Sequence, residues 1–213
     1  MSLNFEQLRT FEGVDFAALN EIYHEAIPAS ERKPRDLLEA MFQHPNYKVI
    51  VGKLKKRVVS LSILYCFADP DFALLEYMAV QKSVRGQGVG SATFTDSAKR
   101  VFAELGGAPL VLEVDSDREK ASDHDIRLKR IAFYRRLGCR RIQGLDYILP
   151  LATGETPPLM DLMIWQEPMP ETITGVALRV HVQNIYIQVY QCHPTDNRLN
   201  VMISNQRNDF MIK

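Results

Sequence analysis

The sequence predicts a mixed α/β fold, and three observations carry that prediction. The apolar period switches along the chain from helical spacing to strand alternation and back. A glycine-bearing turn joins a strand-like run to a helix-like run, as in a crossover unit. The 213 residues are 46% hydrophobic and 24% charged, a composition that supports a packed core and excludes a wholly disordered chain.

Taken in order, a short strand is expected near Leu3 to Leu8. In DFAALNEIYHEAI, Phe16, Leu19, Tyr23 and Ala26 recur at helical spacing, with Asp15 as N-cap and Pro28 as the stop. A second helix fits PRDLLEAMFQHP, with Pro34 in its first turn and Leu37, Leu38, Met41 and Phe42 on the buried side. YKVIVGK and RVVSLSILYCF are rich in β-branched and aromatic residues and read as a hairpin turning at LKK. After the loop ADPDF, ALLEYMAV is a further strand. QKSVRGQGVG then turns into the helix SATFTDSAKRVFAEL, whose apolar residues are Val89, Phe94, Val101, Phe102 and Leu105. PLVLEVD is a strand, DSDREKASDHD a polar loop, and IRLKRIAFYRRLG a helix closed by Gly138. RRIQGLDYILP and PLMDLMIWQ read as the last two strands of the core, around a TGETPP turn. From about Glu171 onward both periods fit, but the eighteen residues 176–193, without Gly or Pro, are long for one strand. Leu178, Val182, Ile185, Val189 and Cys192 line one helical face, so a helix is preferred. The expected organisation is a domain over residues 1–170 and an extension over 171–213.

Composition also excludes partner classes. Twenty-six Lys plus Arg balance twenty-six Asp plus Glu, which argues against a polycation made for nucleic acid. No run approaches the roughly 18 apolar residues of a membrane-spanning helix, and the N-terminal residues predict no secretory signal. Cys66, Cys139 and Cys192 are far apart and odd in number, and the five histidines form no metal-ligand spacing. A reduced, cytoplasmic location and no metal site are expected.

The chemistry is expected at Arg85, Gly86, Gln87, Gly88, Val89, Gly90 and Ser91, between strand and helix. Glycines there let backbone N–H groups close on an anion, aided by the helix dipole. A phosphate-bearing ligand is the natural guest, although glycines also make tight turns. The turn lacks the Lys-Ser/Thr ending of a nucleotide P-loop and misses the dinucleotide spacing.

ALLEYMAVQKSVRGQGVGSATF resembles motif A of the GNAT N-acetyltransferase superfamily, where an Arg/Gln-x-x-Gly-x-Gly/Ala turn binds the pyrophosphate of acyl-coenzyme A. Arg85, Gly88 and Gly90 fill that pattern, with Val84, Gly86 and Ala92 also typical. FYRRLGCRRI resembles motif B. The resemblance spans residues 3 to 167 and implies a central mixed, mostly antiparallel sheet flanked by helices. It also implies acetyl-CoA as donor and direct attack by a primary amine of a small molecule, peptide or protein. An alkyl ammonium with a pKa of about 10.4 needs a base before it can attack. Glu76, a polar residue interrupting an apolar strand, is the candidate, with Glu113 in reserve; an exposed strand carboxylate is the alternative reading. By the resemblance, the amide around Ala79 or Val80 polarises the thioester carbonyl, and Tyr134 is the general acid to the leaving thiolate; a packing tyrosine is the alternative.

The family's Asn and Ala before that tyrosine are replaced here by Arg127 and Arg130, which could meet coenzyme A phosphates or form a solvated face. Residues 126–141 hold seven bases and no acid, the strongest basic cluster in the chain. SERKP (Ser30 to Pro34) and the acidic loop Asp115 to Asp125 are the stretches considered for acceptor recognition. Two rivals remain: a non-catalytic acyl-CoA-binding regulatory module on the same fold, and an unrelated nucleotide-binding protein. The extension could pack, complete the acceptor cleft or join a homodimer.

Overall fold

The computed structural model describes residues 3–69, 71–119, 122–150, 159–203 and 208–213. The architecture is mixed α/β, with a mostly antiparallel central sheet flanked by helices. The chain divides into two compact units: Met1–Cys66 with Leu75–Glu104, and Phe67–Leu74 with Leu105–Lys213.

In the first unit, β1 (Leu3–Gln7) lies antiparallel to β2 (Tyr47–Leu54), which lies antiparallel to β3 (Arg57–Ala68). The hairpin between β2 and β3 turns on Lys55 and Lys56, both at positive φ. Two consecutive left-handed residues match the right-handed strand twist. β4 (Asp71–Val80) follows β3 in the sheet, and its residues 75–80 belong to this unit.

α1 (Gly13–Ala26) and α2 (Arg35–Gln43) cover one face of these strands. Phe16, Leu19, Ile22 and Tyr23 of α1, with Leu38 and Met41 of α2, pack on Val49, Val51, Leu61 and Ile63. Asp15 is not the N-cap: Glu12 holds that position, while Asp15 lies in the first turn and accepts from Lys53 Nζ at 2.7 Å. Pro34 is itself the N-cap of α2, and Leu37 is exposed rather than buried.

α3 (Val89–Glu104) meets β3 along a polar seam. Thr93 donates to Ser60 Oγ at 2.7 Å, and Ser62 and Ser97 hydroxyls lie 2.6 Å apart. The buried face is Val89, Thr93, Phe94, Ser97, Ala98 and Val101, so Phe102 and Leu105 are displaced from the expected stripe by small polar residues. Hydroxyls satisfied by each other can be buried, which apolar periodicity cannot show. Gly52 is required by a close approach: a Cβ there would fall on Ser60 Oγ and 2.8 Å from Phe5 Cε1. Gly52→Ala is expected to cost about 1–3 kcal/mol, read as a lower melting temperature.

The second unit is built on β5 (Leu110–Asp115), paired antiparallel with β8 (Leu159–Trp165) in register Val114↔Asp161. Within it, residue 73 of β4 donates its N–H to Pro109 at 2.9 Å. α4 (His124–Arg136) packs on β5. RRIQGLDYILP is not one strand. It forms β6 (Arg140–Arg141) and β7 (Tyr147–Ile148), each paired with β8 and separated by a turn with Gly144 at φ 82°. The expected TGETPP turn lies outside the described residues.

The extension belongs to this same unit. β9 (Thr172–Thr174) leads into α5 (Gly175–Asn184), capped by Thr174 Oγ1 accepting from Ala177 N–H at 3.2 Å, and then into a π-helical turn, Ile185–Val189. Leu178, Val182, Ile185 and Val189 are all buried. α6 (Asn197–Ile203) and β10 (Asp209–Met211) complete the chain, with β10 antiparallel to β9. Arg141 and Lys213 exchange backbone hydrogen bonds at 2.7 and 2.9 Å, which ties the last residues to β6.

Candidate active site

At the end of β4, Gln81 donates its N–H to Val59 O, and a 3₁₀ turn over Lys82–Val84 carries the chain into the glycine run. Gly86 and Gly88 take φ of 76° and 82°, the left-handed region where a side chain is strained. Arg85, Gly86, Gln87 and Gly88 are exposed, and Val89 is buried as the first residue of α3. The first N–H groups of an α-helix have no partner within it, so Gly88, Val89, Gly90 and Ser91 present donors at the positive end of a 16-residue helix. Ala92 N–H is already taken by Gly88 O at 3.0 Å. Arg85 Nε donates to Val80 O at 2.9 Å, and Gln87 donates to Ser83 O at 3.3 Å. The turn is thus braced by its own side chains and by the Val84 and Arg85 N–H groups, which donate to Gln81 O and Lys82 O. The donors at the helix end and the absence of Cβ atoms at residues 86 and 88 fit a diphosphate. An adjoining hollow of about 510 Å³ is lined by Glu21, Glu25 and Lys82 among others. Its two carboxylates make it a poor place for a polyanion, so the N–H groups are the better match.

Glu76 lies midway along β4, four residues before its end, within the same unit. Its side chain is only 4% exposed. Tyr47 donates to Oε2 at 2.9 Å, and Lys33 Nζ lies 2.9 Å from Oε1. Burial raises its pKa; the Lys33 charge and the Tyr47 hydrogen bond oppose that rise without cancelling it. Glu76 is therefore neither an exposed strand carboxylate nor an open one. Lys33 comes from the SERKP loop, which is held by named contacts. Arg32 donates to Ile27 O and His24 O at 2.7 Å each, Lys33 N–H donates to Tyr23 Oη at 2.9 Å, and Tyr77 donates to Glu31 O at 2.9 Å. Ala79, three residues further along the strand, is buried, and Val80 is half-buried.

The second unit holds the other expected residues. Tyr134 lies near the end of α4, and burial pushes its phenol up to about 12, so it stays protonated at neutral pH. Arg127 donates to Asp123 at 2.9 Å and lies 3.7 Å from Glu119, while Arg130 pairs with Asp115. Arg141 donates to Asp117 at 2.6 Å. Arg127 and Arg130 of the basic helix and Arg141 beyond it are thus engaged by acids of the stretch 115–123. Glu113 on β5 accepts from Tyr147 and, at 2.7 Å, from Tyr190 of the extension. Among the described residues no group of side chains could hold a metal ion, and no helix is long and apolar enough to cross a membrane.

Residues 16–139, well over half the chain, match the acetyltransferase (GNAT) family. The chain belongs to the GNAT acetyltransferase family. The matched stretch of this GNAT chain includes Lys33, Glu76, the glycine turn and Tyr134. It is 27% identical over 143 residues to YjbC of Bacillus subtilis (strain 168), a candidate acetyltransferase; the match spans 66% of each chain. Its fold is similar to that of a candidate GNAT acetyltransferase from Bacteroides thetaiotaomicron, with TM-score 0.73 and 19% identity over 89% of this chain and 99% of that one. It is also similar to Arabidopsis thaliana NAA60 in complex with acetyl-CoA, with TM-score 0.59 and 11% identity, covering 79% and 100% of the two chains. At these identities the likeness concerns the fold.

Sequence reasoning missed the partners of Glu76. Tyr47 reaches it because the sheet order sets β2 and β4 on either side of β3, and Lys33 reaches it from a loop 43 positions earlier in the sequence. The signal that could have found Lys33 was the basic SERKP loop, noted only as a stretch. Tyr190 on Glu113 had no signal at all.

Proposed function

We propose that this GNAT chain transfers an acetyl group from acetyl-CoA to a primary amine by direct attack in a ternary complex. The observation that carries the proposal is a buried, base-strengthened carboxylate, Glu76, on the strand that ends in the glycine turn. When bound, acetyl-CoA supplies a thioester whose carbonyl carbon is open to an amine. The N–H groups of Gly88, Val89, Gly90 and Ser91 would hold its diphosphate. A backbone N–H at Ala79 or Val80 would polarise the carbonyl oxygen. Glu76 takes a proton from the ammonium, which makes the nitrogen a nucleophile. As the N–C bond forms and the C–S bond breaks, Tyr134, kept neutral by burial, would give its proton to the departing sulfur, and the second proton leaving the nitrogen would restore that phenol through water. The products are an amide and a thiol, and the proton taken by Glu76 passes to solvent.

Thiol release from acetyl-CoA, followed with a panel of amines, amino acids, polyamines and peptides, tests the proposal. Release that depends on an amine is expected, together with a higher melting temperature with coenzyme A than with ATP or NAD. Coenzyme A stabilisation without amine-dependent release would favour the non-catalytic binding module. Stabilisation by ATP or NAD alone would overturn the proposal.

A further inference from the structure

We infer that the acceptor is a zwitterion, an amine that also carries a carboxylate, and that Lys33 is the residue that receives that carboxylate. The inference rests on the proposed role of Glu76 and names the substrate class for it.

The two oxygens of Glu76 are held differently. Oε2 accepts from Tyr47, a residue of β2 packed edge-on to Tyr65 with ring centroids 4.8 Å apart. That phenol is fixed by a strand and an aromatic neighbour. Oε1 is held by the end of a lysine side chain, 18% exposed, on a four-carbon stem. An ammonium that is to hand a proton to Glu76 has to reach one of these oxygens, and the place that can be vacated is the one Lys33 fills. The backbone under Lys33 does not need to move. Tyr23 holds its N–H, Tyr77 holds Glu31, and Arg32 clamps the loop to the end of α1. Only the Lys33 side chain has to pivot.

Charge decides what drives that pivot. A neutral acceptor amine gives Lys33 no anion in exchange, so displacing it from a nearly buried carboxylate leaves a cation poorly compensated. A polyamine brings a second positive charge to the same place, where it repels Lys33. An amine with its own carboxylate exchanges one ion pair for two: ammonium on Glu76, carboxylate on Lys33. Lysine suits this exchange because its compact ammonium and flexible stem can follow an anion through a short arc. Paired in the unliganded chain, Lys33 also keeps Glu76 from attracting simple cations, so the pair selects against amines that cannot complete the exchange.

The test uses the full chain, acetyl-CoA and three matched acceptors: an α- or ω-amino acid, its carboxamide and the corresponding decarboxylated amine. Rates are referred to the concentration of the ammonium form, the species that pairs with Glu76, so that differences in the protonated fraction drop out. The amino acid is expected to show kcat/KM at least about tenfold above both analogues, the discrimination expected of one charged hydrogen bond. In Lys33→Met that ratio is expected to fall to about one, and in Lys33→Arg to remain. Equal rates for the three acceptors in the unaltered chain would overturn the inference while leaving the acetyl transfer intact, whether or not any variant folds. A preference that survives Lys33→Met would overturn it too. If no amine releases thiol although coenzyme A binds, the activity itself fails and the inference with it.

Discussion

Glu76→Gln is expected to lower kcat by ~10²- to 10⁴-fold, the range seen when a positioned proton acceptor is removed. Coenzyme A affinity is expected to change little, because the N–H groups of the glycine turn are untouched. Glutamine keeps the volume and can still accept from Tyr47, but it holds no proton-accepting charge. Lys33 loses its charge partner but keeps some access to water at 18% exposure, so a lower melting temperature is expected without loss of the fold. The pH profile gives the second readout. Burial raises the Glu76 pKa above the ordinary carboxylate value of about 4.3. Below the raised value the group is protonated and cannot act as base; above it the group is ionised and can. Activity should therefore rise with pH along an acid limb displaced upward from an ordinary glutamate, and Glu76→Gln should remove that limb. Tyr134→Phe, measured beside it, is expected to lower kcat while leaving the acid limb in place, since its role falls on the leaving sulfur. A Glu76→Gln variant within about threefold of the parent rate would assign the proton to Glu113 or to water. Glu113 is the weaker rival because two phenols, of Tyr147 and Tyr190, already donate to it.

The parts of this fold legible in the sequence are those written locally. The hairpin at Lys55–Lys56, the glycine turn and the helix running to Arg136 each depend on neighbouring residues or on a period within one element. The stripe of Leu178 and Val182 on α5 and of Ile185 and Val189 on the π-helical turn was legible for the same reason: a helical face repeats where a strand face alternates. The illegible parts depend on pairing across long sequence separations. Nothing local shows that the Tyr47 hydroxyl on β2 reaches Glu76 on β4, or that Tyr190 reaches back to β5. The split of RRIQGLDYILP into two short strands was hidden by its apolar content, which reads as continuous until Gly144 turns the chain. The basic residues 126–141 show a further limit. A charge count locates cations but not the acids that fold onto them, and here Asp115, Asp117, Glu119 and Asp123 occupy three of the arginines. For either Arg127 or Arg130 to meet a phosphate, it would have to exchange a carboxylate for it.

The largest stability effect is expected at Asp161, a residue of β8 whose side chain is 1% exposed. Its carboxylate lies 3.2 Å from Arg141 Nε and accepts from Arg118 Nη2 at 3.0 Å. The Arg118 arm is more than a third exposed and has Asp146 as a second partner, so its loss should matter little. Arg141 is the sensitive partner: its side chain is 11% exposed, and without Asp161 it retains Asp117 as its near acid. The Arg141 Nε–Asp161 Oδ2 approach is coulombic, since neither atom makes a hydrogen bond there. Asp161→Ala thus removes a buried charge from β8 and leaves a mostly buried guanidinium under-compensated. The expected cost is ~3–5 kcal/mol, which for a chain of this length lowers the melting temperature by roughly 10 °C. The asymmetry between breaking and replacing a buried pair supplies the control. Asp161→Leu combined with Arg141→Met removes both charges and fills the space, and should recover much of the lost stability. Melting curves of the parent, both single variants and the double variant measure the coupling directly. Because Arg141 also exchanges backbone hydrogen bonds with Lys213, the same variants should show weaker amide protection at the end of the chain. Asp161→Ala melting within about 2 °C of the parent would mean that Asp117 alone compensates Arg141.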